Sequence, residues 1–166
     1  MSGTHHQLEG YLRPTLQACN EATRRLCNAI RSNQSEKPAR FVLVNTAGNC
    51  NCDLHEAVSR GQQCIIGLLR LLLTRHVDNE KAADYLRTKT GQNDEAIEWV
   101  TVRPDNLTNE DMVTEYEVHP SPTRSAIFDA GQASRINVGH FMADLITDDD
   151  TWNRWKGQMP VNYKKG

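Results

Sequence analysis

The sequence predicts an α/β domain in which a short parallel sheet is flanked by helices. Three observations carry this. Two short apolar, β-branched runs, Arg40 to Val44 and Ile97 to Val102, have the character of buried parallel strands. Segments with helical spacing precede, separate and follow them. The 166 residues, 38% hydrophobic and 24% charged, suffice for one domain with a substantial core, 1–166, with 1–10 and 164–166 expected to be flexible.

Between Gln7 and Asn33, the residues Leu12, Leu16, Cys19, Leu26 and Ile30 recur at helical steps, with Pro14 in the first turn. The polar stretch Asn33 to Pro38 ends this helix, and the first strand leads into Asn45-Thr46-Ala47-Gly48. Asn49 to Gly61 reads as a surface loop. Ile65 to Leu73 is apolar nearly all round, which predicts a helix buried against more than one neighbour. Asp78 or Asn79 is expected to cap the next helix, which carries Lys81, Tyr85 and Leu86 and stops at Gly91.

The second strand ends at Arg103-Pro104. From Asp105 to Ala133 the chain is polar, with Pro120 and Pro122, as expected of a long excursion over one face of the core. Asn137 is expected to cap a helix through Ile146, whose apolar face is Val138, Phe141, Met142, Leu145 and Ile146. One further turn carries Trp152 and Trp155, and Met159 to Tyr163 forms a terminal strand.

Charge and composition remove several classes of function. Nineteen basic against twenty-one acidic residues leave a net charge of −2, so no global field draws nucleic acid or an anionic membrane. The longest apolar run is too short to span a bilayer, and the first ten residues lack the apolar core of a secretion signal, so the reading is cytoplasmic. Five cysteines without a repeated framework suit free thiols. Cys50-x-Cys52 with His55 lacks a second pair to close a metal site, so no metal is expected.

The stretches Arg40 to Gly48 (RFVLVNTAG), Glu98 to Leu107 (EWVTVRPDNL) and Ser134 to Ala143 (SRINVGHFMA) occur in an order and spacing that resembles the second half of atypical short-chain dehydrogenase/reductases of the NmrA-like, NAD(P)-binding type. The resemblance runs from about Leu16 to Tyr163. It implies a truncated Rossmann-like fold. The glycine-rich turn G-x-x-G-x-x-G of such proteins brings the backbone close to a pyrophosphate at a helix N-terminus. The ten glycines here are scattered, so no cofactor is expected. The loss of the first half leaves the Phe41 strand with an open edge, which predicts a homodimer or larger oligomer.

In family members with a Tyr-x-x-x-Lys pair, the Lys lowers the Tyr pKa. Lys81 can take the Lys position, but Val77 stands four residues earlier, with His76 and Tyr85 as possible substitutes. Asn45 and Thr46 lie where strands of α/β sheets place ligand contacts. Arg103, Asp105 and Asn106 end the second strand on the same side, and Asp105 can act as a general base if partly desolvated, or can pair with Arg103 or cap a turn. His119 in the excursion is preferred over His140 as a group titrating near neutrality.

The expectation is a small-molecule enzyme performing a cofactor-independent isomerisation, cyclisation or epimerisation, and the resemblance implies a place in secondary-metabolite biosynthesis. Asp105, His119 and Lys81 would be catalytic, and Asn45, Thr46, Arg103 and Asn106 would bind substrate. The alternatives are an incomplete NAD(P)-dependent oxidoreductase and a non-catalytic binding or scaffolding module.

Overall fold

A computed structural model of the chain describes residues 18–54, 56, 59–72 and 74–165. The first helix, α1 (Ala18–Ser32), leads into β1 (Ala39–Val44). Next come a 3-10 turn (Cys52–Leu54), α2 (Arg60–Leu72) and α3 (Thr74–Tyr85), the last extended by a wide turn over Leu86–Thr90. The rest of the chain runs β2 (Ile97–Pro104), β3 (Asn106–Thr108), β4 (Tyr116–His119), β5 (Gln132–Ser134), α4 (Arg135–Thr147), α5 (Asp149–Trp155) and β6 (Val161–Lys164). The expected residues Leu12, Pro14 and Leu16 of the first helix lie outside the described residues.

The main sheet has the order β1-β2-β6-β4. β1 and β2 are parallel in the register Ala39↔Ile97 to Val44↔Val102, and β6 continues parallel to the end of β2. β4 returns antiparallel on β6, while β3 and β5 make a small parallel pair. The architecture is α/β, with a parallel-dominated sheet flanked by helices, as expected. Both exits, Asn45 and Asp105, therefore stand on one edge. The Asn45 N–H donates to the Val102 carbonyl at 2.8 Å and the Ala47 N–H to that of Pro104 at 3.0 Å, which ties the loop after β1 to the end of β2.

Two apolar layers sandwich the sheet. On one side Val100 and Val102 meet Val138, Phe141 and Leu145 of α4 and both tryptophans of α5. On the other, Ile97 and Trp99 meet Cys27 of α1, Ala83 of α3 and Leu86 just beyond it. Alternation along β2 assigns its residues to the two layers, and because both are covered the strand is buried almost throughout.

Several local expectations are corrected. α1 faces the core through Thr23, Cys27 and Ile30, so Leu26, one step round the helix, is 54% exposed. Asp78 lies inside α3 and caps α1 instead, accepting from the backbone N–H groups of Cys19 (2.7 Å) and Asn20 (3.2 Å). Ser134, not Asn137, caps α4: its Oγ accepts the Asn137 N–H at 3.1 Å, and Asn137 turns inward to Thr114. Leu68, in the run expected to be buried all round, is 55% exposed. Lys164, expected to fray, ends β6 and pairs with Glu110 at 2.5 Å. Gly91 stops its helix as expected, at φ 68°, with its N–H on the Leu86 carbonyl. No helix among the described residues is long and apolar enough to cross a membrane.

Candidate functional site

At the C-terminal edge of the parallel strands lies an open cavity of about 270 Å³. Ala47, Gly48 and Cys50, from the loop after β1, form its floor. Glu56, Ser59 and Gln62, at the approach to and start of α2, form one wall, and Pro122 to Ser125 of the excursion form the other. The excursion thus does cross the mouth of the sheet. Gln62 and Ser125 close the cavity between them, with the Ser125 hydroxyl donating to Gln62 Oε1 at 2.8 Å.

Under the floor lies a buried ion pair. Arg103, with no exposed side-chain surface, places two hydrogen bonds on Glu56 at 2.6 and 3.0 Å and pairs with nothing from Asp105. Its remaining donors reach the carbonyls of Met159 (2.7 Å), Asn49 (2.6 Å) and Pro120 (3.4 Å). Every guanidinium N–H is engaged, so Arg103 ties the loop after β1, the excursion and β6 to the end of β2. Asn49 and Asn51, expected to lie in a plain surface loop, are buried. Beside Glu56 the Cys50 thiol is pushed up to about 11 by burial and then by the neighbouring carboxylate, which keeps it protonated and a poor nucleophile.

The residues predicted from sequence fall into separate places. Asn45 is spent on structure: its Nδ2 donates to the Asn79 carbonyl at 2.8 Å, and its Oδ1 accepts from the Thr46 N–H and from Asn49. Thr46 Oγ1 accepts the Gly48 N–H at 3.3 Å, and the His76 ring lies 3.9 Å from the place of a Cβ at Gly48. Asp105 accepts the Gly131 N–H at 2.8 Å, and burial holds its carboxyl above the usual range against the N–H groups of Gly131 and Asn106. His119 is 3.0 Å from Glu117, and its ring centroid is 6.0 Å from that of Tyr163. Tyr163 is raised by burial and then by the Asp105 charge, so Asp105 and His119 both neighbour this one ring. Lys81 is exposed on α3 and Asn106 is exposed on β3, and neither they nor Asp105 and His119 line the cavity, although the charge of the lining residue Arg124 acts on Asp105.

The cavity wall itself, Glu56, Ser59, Gln62, Arg124 and Ser125, was not singled out from sequence. One signal was present: Ser59 and Gln62 have the spacing of a helix-capping pair, and the Gln62 N–H does donate to Ser59 Oγ at 3.2 Å. Among the described residues no cluster of three or more His, Cys, Asp or Glu is arranged to hold a metal ion, and His55 lies outside them.

A dinucleotide pyrophosphate does not fit these residues. It needs free backbone N–H groups at the start of a helix that follows a strand. At α2, the helix after β1, the Gln62 N–H is taken by Ser59 Oγ and the Gln63 N–H by the Ser59 carbonyl at 2.9 Å. The Phe128 ring covers Gly61, at 3.3 Å from the place of a Cβ there.

Several solved structures share the fold. The oxidoreductase ylbE from Lactococcus lactis is similar over 93% of this chain and 57% of its own, at 14% identity and a TM-score of 0.59. A short-chain dehydrogenase/reductase from Veillonella parvula DSM 2008 is similar in its ethylated form over 87% of this chain and 59% of its own, at 18% identity and a TM-score of 0.56. A short-chain dehydrogenase/reductase (wide type) from the same organism, in complex with NADP, is similar over 75% of this chain and 50% of its own, at 19% identity and a TM-score of 0.50. The chain thus spans between half and three fifths of the length of these structures. No curated protein matches it.

A family model described as NAD(P)H-binding matches residues 4–149, beginning upstream of the resemblance read from Leu16. This match overturns the expected cofactor-independent isomerase or cyclase, inferred from the missing glycine turn, and the assignment to secondary metabolism, inferred from the resemblance. With most of its length inside that match, the chain belongs to the NAD(P)H-binding family.

Proposed function

We propose that the chain supplies the substrate side of an NAD(P)H-dependent oxidoreductase, holding the reducible group of a small organic molecule in the cavity between the loop after β1 and the excursion. The observation that supports this reading is the position of the cavity. It lies at the C-terminal edge of parallel strands, where open α/β sheets bind their ligands, and polar groups converge there on a partly apolar floor. The phosphates of the dinucleotide are held by elements other than the described residues.

In this reading Gln62, Ser59 and Ser125 orient a carbonyl or hydroxyl group. Asp105 and His119, grouped around Tyr163, manage the proton. Thr46 orients the loop through Gly48, and Arg103 acts as a positioning residue because its donors are all used. Lys81, exposed on α3 away from the cavity lining, takes no part in this reading, and Asn45 and Asn106 fix the strand exits. Replacing Asp105 by Asn or His119 by Ala lowers turnover by roughly 10²- to 10⁴-fold with the circular dichroism spectrum unchanged. Full turnover in both variants would remove these two residues from the chemistry.

A further inference from the structure

The helix α2 carries a feature that the cavity does not absorb. Gly61, Cys64 and Leu68 follow one another at steps of three and four residues and so share one face. Phe128 lies on Gly61, is 62% exposed, and is fixed by its own N–H donating to Ser125 Oγ at 3.1 Å. Cys64 and Leu68 are exposed, and a side chain added at Gly67 would meet nothing within 4 Å, so among the described residues the face is uncovered. Gly61 adjoins Gln62, and Phe128 hangs from Ser125, and both of these polar residues line the cavity. An apolar track therefore starts at the rim and runs along α2 for about 10 Å, seven residues at the helical rise.

We infer that this track receives the apolar tail of the substrate, which is an amphipathic molecule with a polar carbonyl head in the cavity and a tail of about 10 Å on Phe128, Cys64 and Leu68. The inference rests on the reading of the cavity as the substrate site. Its continuity with the cavity supports a ligand tail over a protein partner: the track ends at polar groups placed for a single head group. The charges nearest the cavity are already paired, Glu56 with Arg103 and Arg124 with Asp129 at 2.6 Å, which suits an uncharged head.

The test is a ligand-observed NMR titration of the full chain with 2-butanone, 2-hexanone, 2-octanone and 2-decanone, which needs no NAD(P)H. Affinity is expected to rise about two- to fourfold per added methylene, the scale for burying a CH₂, and to level off once the tail outruns the track. Leu68→Ser and Phe128→Ser, both at exposed positions, flatten the rise without moving the melting temperature. A flat series in the unaltered chain, or a rise that survives both substitutions, overturns the inference. If the series behaves as expected while no nicotinamide binding is found, the oxidoreductase reading fails and the tail site stands.

Discussion

Replacing Arg103 by Met removes a fully buried cation and leaves Glu56, whose side chain is 4% exposed, without its counter-charge. The Asn51 N–H still donates to Glu56 at 2.7 Å, but the carbonyls of Asn49, Met159 and Pro120 each lose a donor. Taking one partner from a buried ion pair costs about 3–5 kcal/mol, because the remaining charge stays in a low-dielectric site. For a domain of this length that lowers the melting temperature by roughly 6–20 °C. Urea titration followed by circular dichroism measures it, with an unchanged slope showing that the unfolded state is unaltered. The decisive arm is the double variant Arg103→Met with Glu56→Leu. With no charge left to strand, it is expected to lose several kcal/mol less than the two single losses added together. A single Arg103→Met variant within about 1 kcal/mol of the unaltered chain, or a strictly additive double variant, would refute the reasoning.

Two further substitutions follow from the same physics. Asn162 on β6 has no exposed surface, and neither its amide oxygen nor its nitrogen has a partner among the described residues, so Asn162→Val is expected to stabilise by about 1–3 kcal/mol in thermal unfolding; a lower melting temperature contradicts this. Asp94 accepts from Arg31 at 2.7 and 3.0 Å and from the N–H groups of Ala96 and Ile97. Burial raises its carboxyl, but Arg31 and the two N–H groups outweigh that and hold it below the ordinary range. Its stabilisation is therefore complete above the unfolded value near pH 4 and is lost as pH falls through the depressed folded value. Asp94→Asn is expected to be the less stable form at pH 7 and to converge on the unaltered chain in acid. A gap that is constant with pH refutes it.

The strands were legible because β-branched runs between polar turns have few other homes, and their parallel pairing put the Asn45 and Asp105 exits on one edge as the order of elements required. The cavity was not. Its wall depends on Glu56 meeting Arg103 across 47 residues and on Ser125 meeting Gln62 across 63, and no local pattern records such partners. The same limit misplaced Asp78, which looks like a helix start in sequence but caps a helix 59 residues earlier. Leu68 shows the complementary failure: an all-round apolar run says that a helix wants cover, while the tertiary arrangement decides which of its faces gets it.

The most direct test of the substrate-side assignment compares NADPH with reduced nicotinamide mononucleotide, which keeps the reducing ring but lacks the adenosine half and the pyrophosphate link. Calorimetric titration of each into the full chain is expected to give affinities within about threefold of one another, because at α2, the helix after β1, the Gln62 and Gln63 N–H groups are already engaged by Ser59. Binding of NADPH more than tenfold tighter than the mononucleotide, or no binding of either at millimolar concentration, would contradict the account.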